Sequence, residues 1–151
     1  MKISVQAEDF DAGLEIRNVS RNSSIGAVAS FVGLVRDSAM TLEHYPGMTE
    51  RAIGKIVAEA QSRWQVMDCA VIHRYGVLKP NDQIVLVVVA SGHRGDAFTA
   101  CEFLMDYLKT RAPFWKKEHT PEGARWVEAH LSDEDAAARW SSDDKAAERR
   151  Q

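Results

Sequence analysis

Gln83-Ile84-Val85-Leu86-Val87-Val88-Val89-Ala90-Ser91 is the stretch whose reading decides the fold. Its apolar run, Ile84 to Ala90, is far short of the ~20 residues a membrane helix needs. The β-branched side chains favour extended backbone. The lack of polar alternation means that both faces are covered. A central strand with a layer on each side follows. Gly92 then precedes a helix from about Arg94 to Thr110, with an apolar stripe of Ala97, Phe98, Cys101, Leu104, Met105 and Leu108.

Working upstream, Leu78-Lys79-Pro80-Asn81-Asp82 reads as a turn, and Cys69 to Tyr75 as a strand ending near Gly76. Met48 to Trp64 predicts a helix. Met48, Ala52, Ile56, Ala60 and Trp64 recur every fourth residue, and Ile53 and Val57 widen the stripe. Thr41 to Tyr45 is a strand stopped by Pro46-Gly47, joined through Asp37-Ser38-Ala39-Met40 to a strand over Ile25 to Val35. In that strand Ile25, Ala27, Ala29 and Phe31 share a face before Gly33 interrupts. Residues 2–7 alternate as a short strand, and Phe10, Leu14 and Ile16 mark a short helix beginning near Asp9 or Asp11.

Downstream, Pro113 cannot continue the helix. Phe114 to His119 is extended, Arg125 to Ala129 forms a last strand, and a short capped helix starts at Ser132. Residues 141–151 form a charged tail expected to fray, which leaves 1–140 as one domain. Hairpin-like strand pairs among the helices favour an α+β domain over a doubly wound parallel one.

The chain has 151 residues, 45% hydrophobic and 27% charged, which are globular proportions. With 19 basic and 22 acidic side chains the formal charge is −3, so no global field steers it to nucleic acid or an anionic membrane. The N-terminus turns acidic at Glu8-Asp9 without an apolar core segment, unlike a signal peptide. Cys69 and Cys101 are too few for a disulfide scaffold and read as core. A reducing, cytoplasmic setting is expected. No HxH, HExxH, CxxC, P-loop or GxGxxG pattern occurs, so neither a metal nor a resident cofactor is expected.

Three clusters carry chemistry. In Lys109-Thr110-Arg111-Ala112-Pro113-Phe114-Trp115-Lys116-Lys117-Glu118 a helix ends in cations and an aromatic-lysine strand follows. The helix-end cations suit the macrodipole. Alternation puts Phe114, Lys116 and Glu118 on one strand face, and Trp115, Lys117 and His119 on the other, so one lysine must face the packed side. A lysine beside a second cation and an apolar wall is a possible proton donor or nucleophile near neutral pH, against the plainer outcome of snorkelling to solvent. Ser91-Gly92-His93-Arg94 joins a buried strand to a helix start and offers an anion site. Gly33-Leu34-Val35-Arg36 places an arginine at a strand exit, and His73-Arg74 ends another strand as possible electrostatic support.

Phe31-Val32-Gly33-Leu34-Val35-Arg36, Leu42-Glu43-His44-Tyr45-Pro46-Gly47-Met48, His73-Arg74, Ser91-Gly92-His93-Arg94 and Met105 through Glu118 occur in that order. The chain thereby resembles the large, catalytic subunit of molybdopterin synthase over roughly residues 1–140. The resemblance implies an α/β-hammerhead with an additional antiparallel β subdomain. It implies sulfur transfer from the C-terminal Gly-Gly thiocarboxylate of a small ubiquitin-like subunit to cyclic pyranopterin monophosphate. A homodimer of large subunits would carry a small subunit at each end of a heterotetramer. The carried-over positions are Lys109 and Lys116 for catalysis. Leu34, Val35, Arg36, His93, Arg94, Lys117 and Glu118 would bind substrate with them. Two departures stand out: only four residues separate Arg36 from Thr41 where the family often has a longer polar loop, and His130 stands where a relative carries arginine.

Helix geometry adds a constraint. Arg94 and Lys109 are 15 residues apart in one predicted helix, about 22 Å at ~1.5 Å per residue. A single pterin cannot span that, so the expected site is composite, with lysines from one protomer and His93 and Arg94 from its mate. Competing readings are a non-catalytic scaffold for a ubiquitin-like tail or phosphorylated ligand, and an RNA binder built on Phe114-Trp115-Lys116-Lys117. The net charge and the lack of an extended basic stripe argue against the latter.

Overall fold

A computed structural model describes residues 1–120, 123–127 and 135–141, the strand over 123–127 by its backbone. The elements run β1 (Lys2–Gln6), α1 (Ala12–Val19), β2 (Ala27–Leu34), β3 (Met40–His44), α2 (Met48–Arg63), β4 (Asp68–Arg74), β5 (Gly76–Leu78), β6 (Gln83–Ser91), α3 (Arg94–Arg111), β7 (Phe114–Thr120) and β8 (Gly123–Val127). A further helical segment, α4, spans 135–141.

Among the described residues the strands form two four-stranded sheets, ordered β1-β4-β6-β2 and β5-β3-β7-β8. In the first, β6 is central and antiparallel to both β4 and β2, while β1 pairs parallel with β4. Val85, Val87 and Val89 point to α2 and α3; Leu86, Val88 and Ala90 point to Val19, Phe10 and Ile16 around α1. That is the two-sided burial the unbroken apolar run demands. The second sheet is wholly antiparallel and covers a small core of Val35, Met40, Leu42 and Leu78. It is the additional antiparallel subdomain, and the whole is α+β.

Local chemistry sets the boundaries. Asp11 caps α1 by accepting from the Leu14 amide at 3.1 Å. Gly47, at φ +85°, turns the chain into α2, and its amide donates to Glu50 Oε2 at 2.6 Å. A Cβ on Gly33 would meet Val85 Cγ1 at 2.8 Å, and the β2–β6 register slips between Gly33 and Leu34.

The structure corrects some readings. Leu78 is not part of a turn: Gly76–Leu78 is a strand paired with β3, and only Lys79 to Asp82 turn. Three residues are too few for a visible alternation. Met48 and Phe98 lie on the solvent side, at 54% and 65% exposure. Met48 is the first residue of α2, where Thr49 occupies the buried position, and Phe98 opens the outward side of α3. Phe103 and Tyr107 are buried instead, because Trp64 and Trp140 pack on Phe103 and give α3 a second covered face. The strand expected from Arg125 begins at Gly123, and Glu128 and Ala129 lie outside the described residues. His130, the proposed helix start at Ser132 and residues 142–151 of the tail lie outside the described residues.

Candidate active site

The lysine cluster forms where the two sheets meet. Helix α3 ends at Arg111, Pro113 breaks the chain, and β7 begins at Phe114. In β7, Phe114, Lys116 and Glu118 stand opposite His44, Leu42 and Met40 of β3. Directly opposed residues share a face, so Lys116 is the lysine directed to the packed side. Its ammonium leads out of that face to Glu118 at 3.3 Å, with both side chains partly solvated. Lys117 stands on the other face, opposite Thr41. Lys109 is exposed in the last turn of α3, near enough to His73 for its charge to act on that ring.

Around this corner lies a set of rings. His73 stacks on Phe114 with centroids 3.8 Å apart and an 18° tilt. His44 lies 6.1 Å from Phe114 and 4.5 Å from Tyr75. The Thr49 hydroxyl donates to the Tyr45 carbonyl at 2.9 Å, so at 3.2 Å His44 Nδ1 is its donor. His73 Nδ1 is 2.9 Å from the Arg74 carbonyl and must carry the proton there. Burial pushes the His73 pKa down to about 4; the Arg74 carbonyl opposes this, and the charges of Lys109 and His44 add to it. His73 is therefore neutral at pH 7. Sequence reading had given it only a supporting part; what it could not supply was the stack, which joins residues 41 positions apart.

Arg36 follows β2 into the link to β3. Its side chain is 91% exposed, 3.7 Å from Asp37, which adopts φ +72°. Leu34 is exposed and Val35 is buried, its amide bonded to the Asp82 carbonyl at 2.9 Å. The link is adjacent to the far end of β7, because the His119 amide donates to the Ala39 carbonyl at 2.9 Å. Arg36 thus lies in the link beside the Glu118 end of β7, with Lys116 and Glu118 on one face of that strand, Lys117 on the other, and Lys109 before the proline break.

His93 and Arg94 are elsewhere. His93 is the extended N-cap of α3 and both side chains are exposed. Gln65 holds this end: its Oε1 accepts from the Gly92 amide at 3.2 Å and from Ser91 Oγ at 3.3 Å, while its backbone N–H donates to Asp96 Oδ2 at 2.8 Å. Sequence reading missed Gln65, which lies in the short connection before β4. Helix α3 is unbroken from Arg94 to Arg111, so the two cationic groups are set about 22 Å apart within one chain.

Cys69 and Cys101 are buried and free, each thiol pushed up to about 11 by burial. Neither is poised as a nucleophile. Among the described residues no group of three or more His, Cys, Asp or Glu is placed to hold a metal ion, and no helix is long and apolar enough to cross a membrane.

Fold and candidate site together define a mixed-sheet α+β domain with a lysine-bearing strand after a proline break. The chain belongs to the MoaE protein family, whose model matches residues 5–111. It is 61% identical to the molybdopterin synthase catalytic subunit of Ralstonia nicotianae, covering 91% of this chain and 83% of the relative. Among solved structures, the molybdopterin biosynthesis MoaE protein of Burkholderia ambifaria is 58% identical with a TM-score of 0.82, covering 93% of this chain and 97% of that one. Molybdopterin synthase from Staphylococcus aureus is 30% identical with a TM-score of 0.77, covering 82% and 95%. The activity is that of its family: sulfur transfer by the catalytic subunit of molybdopterin synthase, in molybdenum cofactor biosynthesis.

Proposed function

We propose that Lys109 and Lys116 carry the chemistry of sulfur transfer to cyclic pyranopterin monophosphate. The sulfur donor is the C-terminal Gly-Gly thiocarboxylate of a small ubiquitin-like subunit, docked on each large subunit of a homodimer in the cytoplasm. The observation that supports this most is the face assignment of β7: Lys116 stands opposite buried Leu42, beside Glu118, next to the helix end that carries Lys109.

The thiocarboxylate sulfur attacks a carbon of the pyranopterin as the C–O bond at that carbon breaks, the oxygen leaving as water at one carbon and with the opening cyclic phosphate at the other, and the partner's C-terminal carbonyl is left as a thioester. Water adds to that carbonyl, and the C–S bond breaks to return a carboxylate on the partner and sulfur on the pterin. Ammonium groups beside the carbonyl stabilise the oxyanion and supply protons. Two rounds give the dithiolene. Leu34, Val35, Lys117 and Glu118 line the site. Arg36 holds the phosphate together with His93 and Arg94 of the dimer mate, since the length of α3 keeps a chain's own His93 and Arg94 from its own lysines.

The test is reconstitution with thiocarboxylated small subunit and cyclic pyranopterin monophosphate, reading dithiolene formation. Lys116→Ala should lower kcat at least about 100-fold with the fold intact. Unchanged product formation would reduce the protein to a scaffold.

A further inference from the structure

His73 belongs to the first sheet, yet its ring lies on the second. It leaves β4 one residue before that strand ends and covers Phe114, the first residue of β7. Phe114 stands between the two lysines in sequence, directly after the proline at which α3 stops. That break removes the helical hydrogen bonds that would otherwise dictate how β7 leaves α3. The Phe114 amide bonds back to the Ala112 carbonyl at 2.9 Å, and Phe114 opens the β3–β7 ladder opposite His44. Ala112 packs on the main core and Phe114 lies under His73; these contacts tie the break to the first sheet.

A histidine suits this place. The Arg74 carbonyl pins the ring in its plane through Nδ1. The neutral ring stacks flat and does not repel Lys109, whereas an imidazolium there would.

We infer that His73 is a positioning residue: its pinned ring, stacked on Phe114, sets the direction in which β7 departs from α3, and with it the spacing of Lys109 and Lys116. This rests on the assignment of those lysines above. A misplacement on the order of 1 Å at such a pair can cost up to about 100-fold in rate.

The experiment compares His73→Leu and His73→Phe, as full-length chains in the reconstituted assay, beside the unsubstituted protein and Lys116→Ala. Leucine fills the space without a plane, and phenylalanine restores the plane without nitrogens. His73→Leu should lower kcat about tenfold or more with KM within about twofold, and His73→Phe should stay within about threefold of the unsubstituted kcat. Phe114→Leu removes the stack from the other side. It should give the same loss, and the double variant no more than either single one. Full activity of His73→Leu, a His73→Phe defect as deep as that of His73→Leu, or additive losses in the double variant would each overturn the proposal. An inactive unsubstituted protein, or an active Lys116→Ala, would instead sink the assignment of the lysines.

Discussion

At its C-terminal end α3 runs into rings; at its N-terminal end it runs into hydrogen bonds. Lys109 and Lys116 flank a proline break held by Ala112 in the core and Phe114 under His73. His93 and Arg94 follow a glycine whose amide, with the Ser91 hydroxyl, is bonded to Gln65, and Asp96 completes the loop. Stacked rings fix a direction and tolerate little displacement, which suits groups that must meet a reacting carbonyl. A loop held by side-chain hydrogen bonds leaves the imidazole and guanidinium exposed, which suits groups that close on a phosphate. The two ends differ in how they are built; on the proposed assignment they do different work, and substitutions should separate them.

The largest contrast is in pH. His73 has its pKa lowered from 6.5 to about 4. The unfolded chain therefore takes up a proton that the folded one refuses as pH falls below 6.5, and stability is lost until about pH 4, where the loss levels off. The full effect is up to about 3 kcal/mol. Urea midpoints measured between pH 7 and 4 should show this decline in the unsubstituted protein and a shallower one in His73→Phe. Equal slopes would mean that the stacked ring is not shielded in the fold. The N-terminal end should give a smaller effect of a different kind. Gln65→Ala removes two bonds to the Ser91–Gly92 loop, each worth about 1 kcal/mol or less. KM for cyclic pyranopterin monophosphate should rise about fivefold and kcat should change less than about twofold. A fall in kcat instead would erase the division of labour between the two ends.

Much of this was legible in the sequence because the strongest signals are local. The run Ile84 to Ala90 forces a two-sided strand, and the alternation after Pro113 assigns Lys116 and Lys117 to opposite faces. Both follow from the period of a strand and need no knowledge of what lies across from it. Long-range partners were not legible. The strand Gly76–Leu78 exists because Met40 to Leu42 pairs with it, and Phe103 and Tyr107 are buried where the wider α3 stripe is covered by Trp64 and Trp140. At the candidate site, residue type singled out Lys109, Lys116, Arg36, His93 and Arg94 as candidates, and the roles proposed for them came from the family resemblance. Gln65 carried no such mark: an uncharged amide in a connecting loop gains meaning only when the loop it bonds is in place.

The proposed composite site turns on α3 as a spacer between each chain's lysines and its own His93 and Arg94. The most direct measurement uses a heterodimer of one Lys116→Ala chain and one Arg94→Ala chain, purified through two different affinity tags. If sites form between protomers, one site in the pair receives both substitutions and the other receives neither. The heterodimer should then show about half the kcat of the unsubstituted dimer, while both variant homodimers stay strongly impaired. A heterodimer as impaired as its parents would contradict the account, because it would mean that each chain assembles its site alone.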